Sequence, residues 1–418
     1  MIILATVLSV LSLLMGVLLV MRTKNPAGWL SLAPKSAAGA LSPYLAIMGL
    51  AGAILGLVNE AYWVIPVGIV GAGITIWYYW RCTSDHAGLD KAFGAGWSDQ
   101  IPLEQNSQMV KRRRSLLLNG IASAELSLER DVPFWRIPGT DRDLLCDIWR
   151  PANGEVSGLA IIHFHGSGWW IGDKDFFTRG YFRHMAAQGH TVMDVAYRLC
   201  PEVDIFGMVG DVKRAIAWMK ANASHYGVDP EKIVLMGSSA GGHLALLAGY
   251  APHYPELTPE DILDTDLSVC GVISLYGPTD MLAAYHHERQ ELFDDRPPVP
   301  ISPDSPKDRR DYGRMDVLLG GRPQEVPEMY ELASPITNVH PDCPPTLLIQ
   351  GDRDFITPVD ATCELEAKLV EAGVPTINVV YPWTDHGFDM LLQRISPPVI
   401  SAMYDVDRFL ALLMKEDK

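Results

Sequence analysis

Five consecutive residues, Gly237-Ser-Ser-Ala-Gly241, constrain this chain more than any other stretch. They fit G-x-S-x-G with Ser239 at the centre. An apolar run, Lys232–Met236, precedes them and a helical pattern, His243–Ala248, follows. Strand, sharp turn and helix in that order lift a hydroxyl clear of a sheet edge, beside the N–H groups that open the next helix. The flanking positions must be small because the turn is strained and packs closely against its neighbours.

The region around this motif reads as an α/β fold with a mostly parallel sheet and helices on both faces. Short β-rich runs recur at Leu144–Trp149, Leu159–Phe164, Thr191–Tyr197, Lys232–Met236, Val269–Tyr276, Thr346–Gln350 and Thr376–Tyr381. Several are continuously apolar, as strands covered on both sides should be. Helical patterns lie between them at Val209–Ala223 and Val359–Ala372, the second stopped by Gly373. His286–Arg310 breaks the rhythm with mixed charges and five prolines between Pro297 and Pro306, and is expected to be a lid or a flexible insertion.

The first 84 residues are a different material. Ile2–Met21, Leu41–Val58 and Ala61–Trp80 are nearly free of ionisable groups, and each approaches the roughly 20 residues of a bilayer crossing. About three transmembrane helices are therefore expected over 1–84, the second and third forming a hairpin across Asn59-Glu60. Trp77-Tyr-Tyr-Trp80 before Arg81 has the look of an interfacial belt, and Gly52 and Gly56 are a small-xxx-small pair. With no cation ahead of it and no small-x-small cleavage site, the first run reads as a signal anchor. Arg22, Lys24 and Lys35 follow the first run, and Arg81 and Lys111–Arg114 follow the third. The positive-inside rule then makes the protein a multi-pass membrane protein with its catalytic part on the cytoplasmic face. Residues 85–139 are expected to be a linker or cap, with Leu116–Leu128 helical and Lys111–Arg114 either a headgroup contact or a solvated charge run. The catalytic domain is expected over 140–418.

Composition narrows the function classes. A net charge of −16 argues against a nucleic-acid binder. Six scattered cysteines without C-x-x-C point to neither a zinc site nor a disulfide scaffold. A serine nucleophile needs a base, and the base needs a third group to hold it; here the chain order is serine, acid, histidine. His386, in Trp383-Thr-Asp-His386, is the candidate base. Asp354 is preferred as the acid over Asp352, assigned to the turn, and over Asp385, read as a solvated loop carboxylate. Oxyanion donors are expected from the N–H of Ala240 and from the Gly-rich turn His163–Trp169. His163-x-His165 has the spacing of a metal pair but lacks further ligands at the right spacing, and His165 is expected to order the turn. His286-His287 reads as a solvated pair.

His165-Gly-Ser-Gly-Trp-Trp-Ile-Gly-Asp-Lys174, Asp194–Glu202, Gly237–His243 and Gly351–Asp354 resemble the α/β-hydrolase superfamily. More narrowly they resemble its hormone-sensitive-lipase-like and acetyl/feruloyl-esterase-like carboxylesterases, over about residues 140–415. The resemblance implies Ser239 as nucleophile, Asp354 as acid and His386 as base. It implies oxyanion donors at Ser167, Gly168 and Ala240, with Gly166 in the same turn and no cofactor or metal. One departure is Ser167, where the family has glycine. The resemblance implies hydrolysis of short- to medium-chain carboxylic esters, and the apolar N-terminal runs add amphiphilic esters as substrates and the bilayer as the other partner. An arylformamidase or amidase, an acyltransferase, and a non-catalytic membrane module are the competing readings.

Overall fold

The computed structural model describes residues 1–22, 27–101, 108–115, 125–152, 156–288 and 313–414, of which 27–29 are described as backbone alone. Its centre is an eight-stranded sheet in the order β1-β2-β4-β3-β5-β6-β7-β8. The strands are β1 (Leu126–Arg136), β2 (Asp143–Pro151), β3 (Gly158–Phe164), β4 (Thr191–Val195), β5 (Val228–Ser238), β6 (Gly271–Leu275), β7 (Thr346–Gly351) and β8 (Thr376–Tyr381). β2 pairs antiparallel with β1 and β4, and the pairings from β4 through β3, β5, β6 and β7 to β8 are parallel. The seven expected strands fall on β2–β8.

Alternation along the buried strands divides the core in two. Ile162, Phe164, Leu235 and Leu348 point to the face covered by helices Ile205–Ala221 and Ala240–Tyr250. Leu159, Ile161, Val234, Met236 and Ile349 point to the face covered by Arg179–Ala187 and Pro397–Leu413. The helix Val359–Glu371 ends as expected, with Gly373 at φ +82°.

β1 corrects one expectation. Leu126–Leu128 is the start of a strand and not the end of a helix, because Leu126 and Leu128 pair across to Pro151 and Trp149 and pack on the core. Residues 116–124 lie outside the described residues. The sheet therefore begins ahead of the boundary expected at 140. Most of the lid segment, 289–312, also lies outside the described residues. His286 and His287 end the helix Met281–His287; His286 is exposed, as expected, while His287 is half-buried with its Nε2 3.1 Å from the Phe355 carbonyl.

Four helices open the chain, α1 (Ile2–Val20), α2 (Ala27–Ala40), α3 (Ser42–Val58) and α4 (Val64–Cys82), and the short helix Gly88–Phe93 follows them ahead of the sheet. α3 and α4 form the expected hairpin, and α1 packs against both. The faces that meet are lined by small residues: Ala5, Ser9, Ser12 and Gly16 of α1, Gly49, Gly52, Ala53 and Gly56 of α3, and Gly68, Gly71 and Ala72 of α4. A methyl group on Gly71 would sit 2.6 Å from the Leu13 nitrogen, whereas one on Gly73, facing outward, would meet nothing within 4 Å. Ser12 Oγ donates to the Leu45 carbonyl at 2.8 Å. Large apolar side chains, Ile3, Leu14, Ile47, Ile54, Val58 and Ile69 among them, point out.

Length and apolarity correct the count of three spans. Among the described residues one helix, α1, is long and apolar enough to cross a membrane. The second run is the 17-residue helix Ser42–Val58, which meets Leu30–Ala40 at a 74° bend, and the pair qualifies only as one broken span. α4 is apolar for most of its length but carries Trp77, Tyr78, Tyr79, Trp80 and Arg81 in its last turns, which dilute it.

The segment between α4 and β1 is tied to the last helix rather than to solvent. Arg113 is buried in an ion pair with Asp405, and Asp405 also faces His86 Nε2 at 3.1 Å. The Val110 N–H donates to Asp407 at 2.7 Å, and Arg408 donates to the Val110 carbonyl at 2.9 Å. Within Lys111–Arg114, then, Arg113 is neither a headgroup ligand nor a solvated charge.

Candidate active site

The turn after β5 has the backbone its sequence requires. Ser239 sits at φ +53°, ψ −122°, a sparsely allowed conformation for a residue with a side chain. Its N–H donates to the Leu275 carbonyl at 2.8 Å, and its own carbonyl accepts from His243 N–H at 3.0 Å as the first bond of helix Ala240–Tyr250. Both flanking glycines are compulsory. A methyl on Gly237 would run into the backbone of Gly241, and one on Gly241 into the Phe164 and His165 carbonyls. This packing wedges the turn between β3 and β6 and leaves Ser239 Oγ free to meet a partner.

That partner is His386, whose Nε2 lies 2.9 Å from Ser239 Oγ. On the other side of the ring Nδ1 lies 2.9 Å and 3.1 Å from the two carboxylate oxygens of Asp354. Residues 239, 354 and 386 come from the ends of β5, β7 and β8, which parallel pairing brings to one edge of the sheet.

Asp354 is fully enclosed, and burial alone would push its carboxyl up. Interaction with His386 and hydrogen bonds from Thr357 outweigh that and hold it below the usual carboxylate range. The donors are the Ile356 and Thr357 N–H groups at 2.9 Å and Thr357 Oγ1 at 2.8 Å. Gln350 Nε2, 3.1 Å from the Thr357 carbonyl, braces the same loop. An ionised carboxylate only accepts, so the ring proton belongs on Nδ1 and Nε2 is left as a lone pair facing the hydroxyl. Such an arrangement can take the proton from Ser239 as its oxygen forms a bond.

The other two acids fall elsewhere. Asp352 does serve the turn: its Oδ1 accepts the Trp383 N–H at 2.5 Å. Asp385 is no solvated carboxylate, being 5% exposed and paired with Lys35 of α2.

The Gly-rich turn after β3 lies against the serine. A methyl on Gly166 would be 3.0 Å from the Ser238 carbonyl and 3.3 Å from Ser239 Cβ. Ser167, Gly168 and Trp169 all have positive φ, at +89°, +64° and +64°. Ser167 holds the conformation at the cost of strain that glycine would not carry, and its Oγ is buried without a hydrogen-bond partner among the described residues. His165 orders the turn: Nδ1 lies 2.8 Å from the Gly166 carbonyl, its ring stacks on Tyr197, and the Tyr197 hydroxyl donates to the His165 carbonyl at 2.7 Å. Burial depresses the His165 pKa, so the ring is neutral. His163 Nδ1 faces Asp194 at 2.9 Å, and among the described residues no group of three or more His, Cys, Asp and Glu is placed to hold a metal ion.

Sequence reasoning missed Tyr276 and Asp389. The Tyr276 ring lies 4.5 Å from the His386 ring, centre to centre, and its hydroxyl donates to the buried Asp389. Burial pushes the Asp389 carboxyl up, with the Tyr276 bond pulling the other way. Only their places at a strand end and three residues beyond the histidine mark them in the sequence, and neither spacing is distinctive.

Comparison with known proteins agrees with this geometry. The BD-FAE family description matches residues 146–369, more than half of the chain. Esterase LipQ of Mycobacterium tuberculosis is 29% identical over 329 residues, covering 77% of this chain and 72% of that protein. Esterase LipC of the same organism is 30% identical over 255 residues, and the match spans 60% of this chain and 59% of LipC. A solved esterase from Thermogutta terrifontis, with butyrate bound, covers 69% of this chain and 94% of its own at 24% identity and a TM-score of 0.52, a likeness of fold. The sheet is that of the α/β-hydrolase fold, and the chain belongs to the BD-FAE family as a carboxylic ester hydrolase of the serine-hydrolase type.

Proposed function

We propose that Ser239 is the nucleophile of a membrane-anchored carboxylesterase that works through an acyl-enzyme. The observation that carries this is the unbroken chain Ser239 Oγ–His386–Asp354, each step about a hydrogen bond long. As Ser239 Oγ bonds to the acyl carbon, its proton passes to His386 Nε2, and Asp354 stabilises the imidazolium. The carbonyl oxygen takes the electron pair and becomes an oxyanion. It is received by the N–H groups of Ala240, at the start of a helix, and of Ser167 and Gly168 in the turn beside it. Collapse expels the alkoxide, which takes the proton from His386. Water, deprotonated by the same nitrogen, then releases the acid and restores Ser239. Short- to medium-chain or amphiphilic esters are the proposed substrates.

The anchor is α1, the one described helix long and apolar enough to cross a membrane, packed against the hairpin of α3 and α4. Small and hydroxyl-bearing residues inside and large apolar residues outside reverse the pattern of a bundle in water, and match helices that pack in lipid. Arg22, Lys35 and Arg81 lie toward the end that meets the sheet domain, and by the positive-inside rule that cluster supports a cytoplasmic sheet domain. The full chain is expected to float with phospholipid vesicles after an alkaline carbonate wash; release by the wash means attachment at the surface only.

Ser239→Ala should abolish turnover of p-nitrophenyl butyrate in protein that still unfolds cooperatively, while Ser238→Ala keeps most of it. Equal loss from both moves the nucleophile off Ser239. Asp354→Asn should lower kcat by roughly a thousandfold or more. The same variant tests the carboxylate's environment. Because its folded pKa lies below the unfolded one, Asp354 contributes stability that is complete above about pH 4 and lost as pH falls through the folded value. The stability gap between wild type and Asp354→Asn should therefore narrow on acidification from about pH 6 to about pH 3.

A further inference from the structure

The three residues ahead of His386 are each taken up by the N-terminal helices. The Trp383 ring stacks on Trp77 of α4 with centroids 4.0 Å apart. Thr384 Oγ1 lies 3.1 Å from the Tyr78 hydroxyl. Asp385 pairs with Lys35 of α2, whose Nζ also donates to the Met21 carbonyl at 2.9 Å, at the end of α1. Tyr78 and Lys35 are 2% and 3% exposed, so these are enclosed contacts and not surface ones. From the opposite side the acid loop holds the same stretch: Arg353 N–H donates to the Thr384 carbonyl at 3.0 Å, and Asp352 takes the Trp383 N–H. Trp383 itself sits at φ +53°, a conformation that needs outside support. The apolar core runs through the contact, with Leu19, Ala38, Leu45, Tyr78 and Cys82 continuous with Ile349, Tyr381 and Phe388.

A lysine and an aspartate buried together contribute little net stability, since desolvation offsets their attraction, whereas the loss of one partner leaves a buried charge unpaired. What this pair fixes is the peptide immediately before the imidazole. We propose that Lys35 is a positioning residue for His386, acting through Asp385, and that with Tyr78 and Trp77 it makes ester hydrolysis dependent on the assembled N-terminal bundle. This rests on the reading of Ser239, His386 and Asp354 as the working triad. A displacement of the imidazole by about 1 Å would cost rate without weakening substrate binding, because the ring meets the substrate chiefly in the transition state.

The test uses the full chain in phospholipid nanodiscs, with kcat and KM measured separately for p-nitrophenyl butyrate and thermal unfolding followed in the same samples. Lys35→Met should lower kcat by between about tenfold and about a hundredfold with KM changed by no more than about twofold. Lys35→Arg should restore most of the loss, and Asp385→Asn added to Lys35→Met should restore part of it by removing the orphaned carboxylate. A wild-type kcat in Lys35→Met overturns the proposal, as does a loss that falls on KM. If Lys35→Met yields no folded protein, Tyr78→Phe and Trp77→Leu carry the test: a lower kcat at unchanged KM supports the clamp, and unchanged kcat in both overturns it. Ser239→Ala in the same discs separates the two readings. Residual turnover there defeats the triad itself, whereas full loss there beside a wild-type Lys35→Met defeats the clamp alone.

Discussion

A histidine is useful to a hydroxyl on one of its nitrogens only if the other is held, and the bond between His386 Nδ1 and Asp354 is the constraint on which the rest of this protein turns. To keep Asp354 ionised in a dry interior the chain surrounds it with donors from Ile356 and Thr357. To bring it to the ring, β7 and β8 must lie side by side and end together. To bring Ser239 to the far side, β5 must end in a turn that only glycine at 237 and 241 permits. Sheet order, elbow strain and loop hydrogen bonds are consequences of placing one imidazole.

Where chemistry and local pattern coincide, the sequence was a sufficient guide. Leu159–Phe164 and Thr376–Tyr381 are apolar runs bounded by turn residues, and both are strands within a residue of their expected ends. The elbow and the Gly-rich turn were legible because their backbones demand residues of a particular size. The order serine, acid, histidine admits Asp352, Asp354 and Asp385 alike; only the nearness of Asp352 to the strand end favours Asp354, and the donors from Ile356 and Thr357 appear only in the fold. β1 was not legible: Leu126–Arg136 carries Glu129, Arg130, Asp131 and a proline, as an edge strand can, and none of the periodicity of a buried one. Nor were the partners of Asp385 and Arg113, which lie hundreds of residues away in Lys35 and Asp405. A charge in a sequence says nothing of who neutralises it.

The N-terminal helices show the limit of hydropathy from the other side. Three apolar runs in a row imply three crossings, yet among the described residues length and apolarity single out α1, with Leu30–Ala40 and Ser42–Val58 qualifying only as one bent pair. Packing adds what averaging over a window removes. Gly49, Gly52, Gly68 and Gly71 lower the mean apolarity of their helices because they are small, and they are small because another backbone passes over them. The aromatic end of α4 lowers it again, and that end is the one that meets the histidine loop through Trp77 and Tyr78. α3 falls short by length, at 17 residues, and in α4 the features that weaken the case for a span are those that pack the bundle and join it to the site.

The central claim, that Ser239 is the atom on which the chemistry occurs, is tested most directly by peptide mass spectrometry after labelling the lipid-embedded full chain with a fluorophosphonate. The account predicts one adduct, on Ser239, absent from heat-unfolded protein and slowed by a competing ester. An adduct on Ser238 or on any other residue, or no adduct on protein that hydrolyses esters, would contradict it.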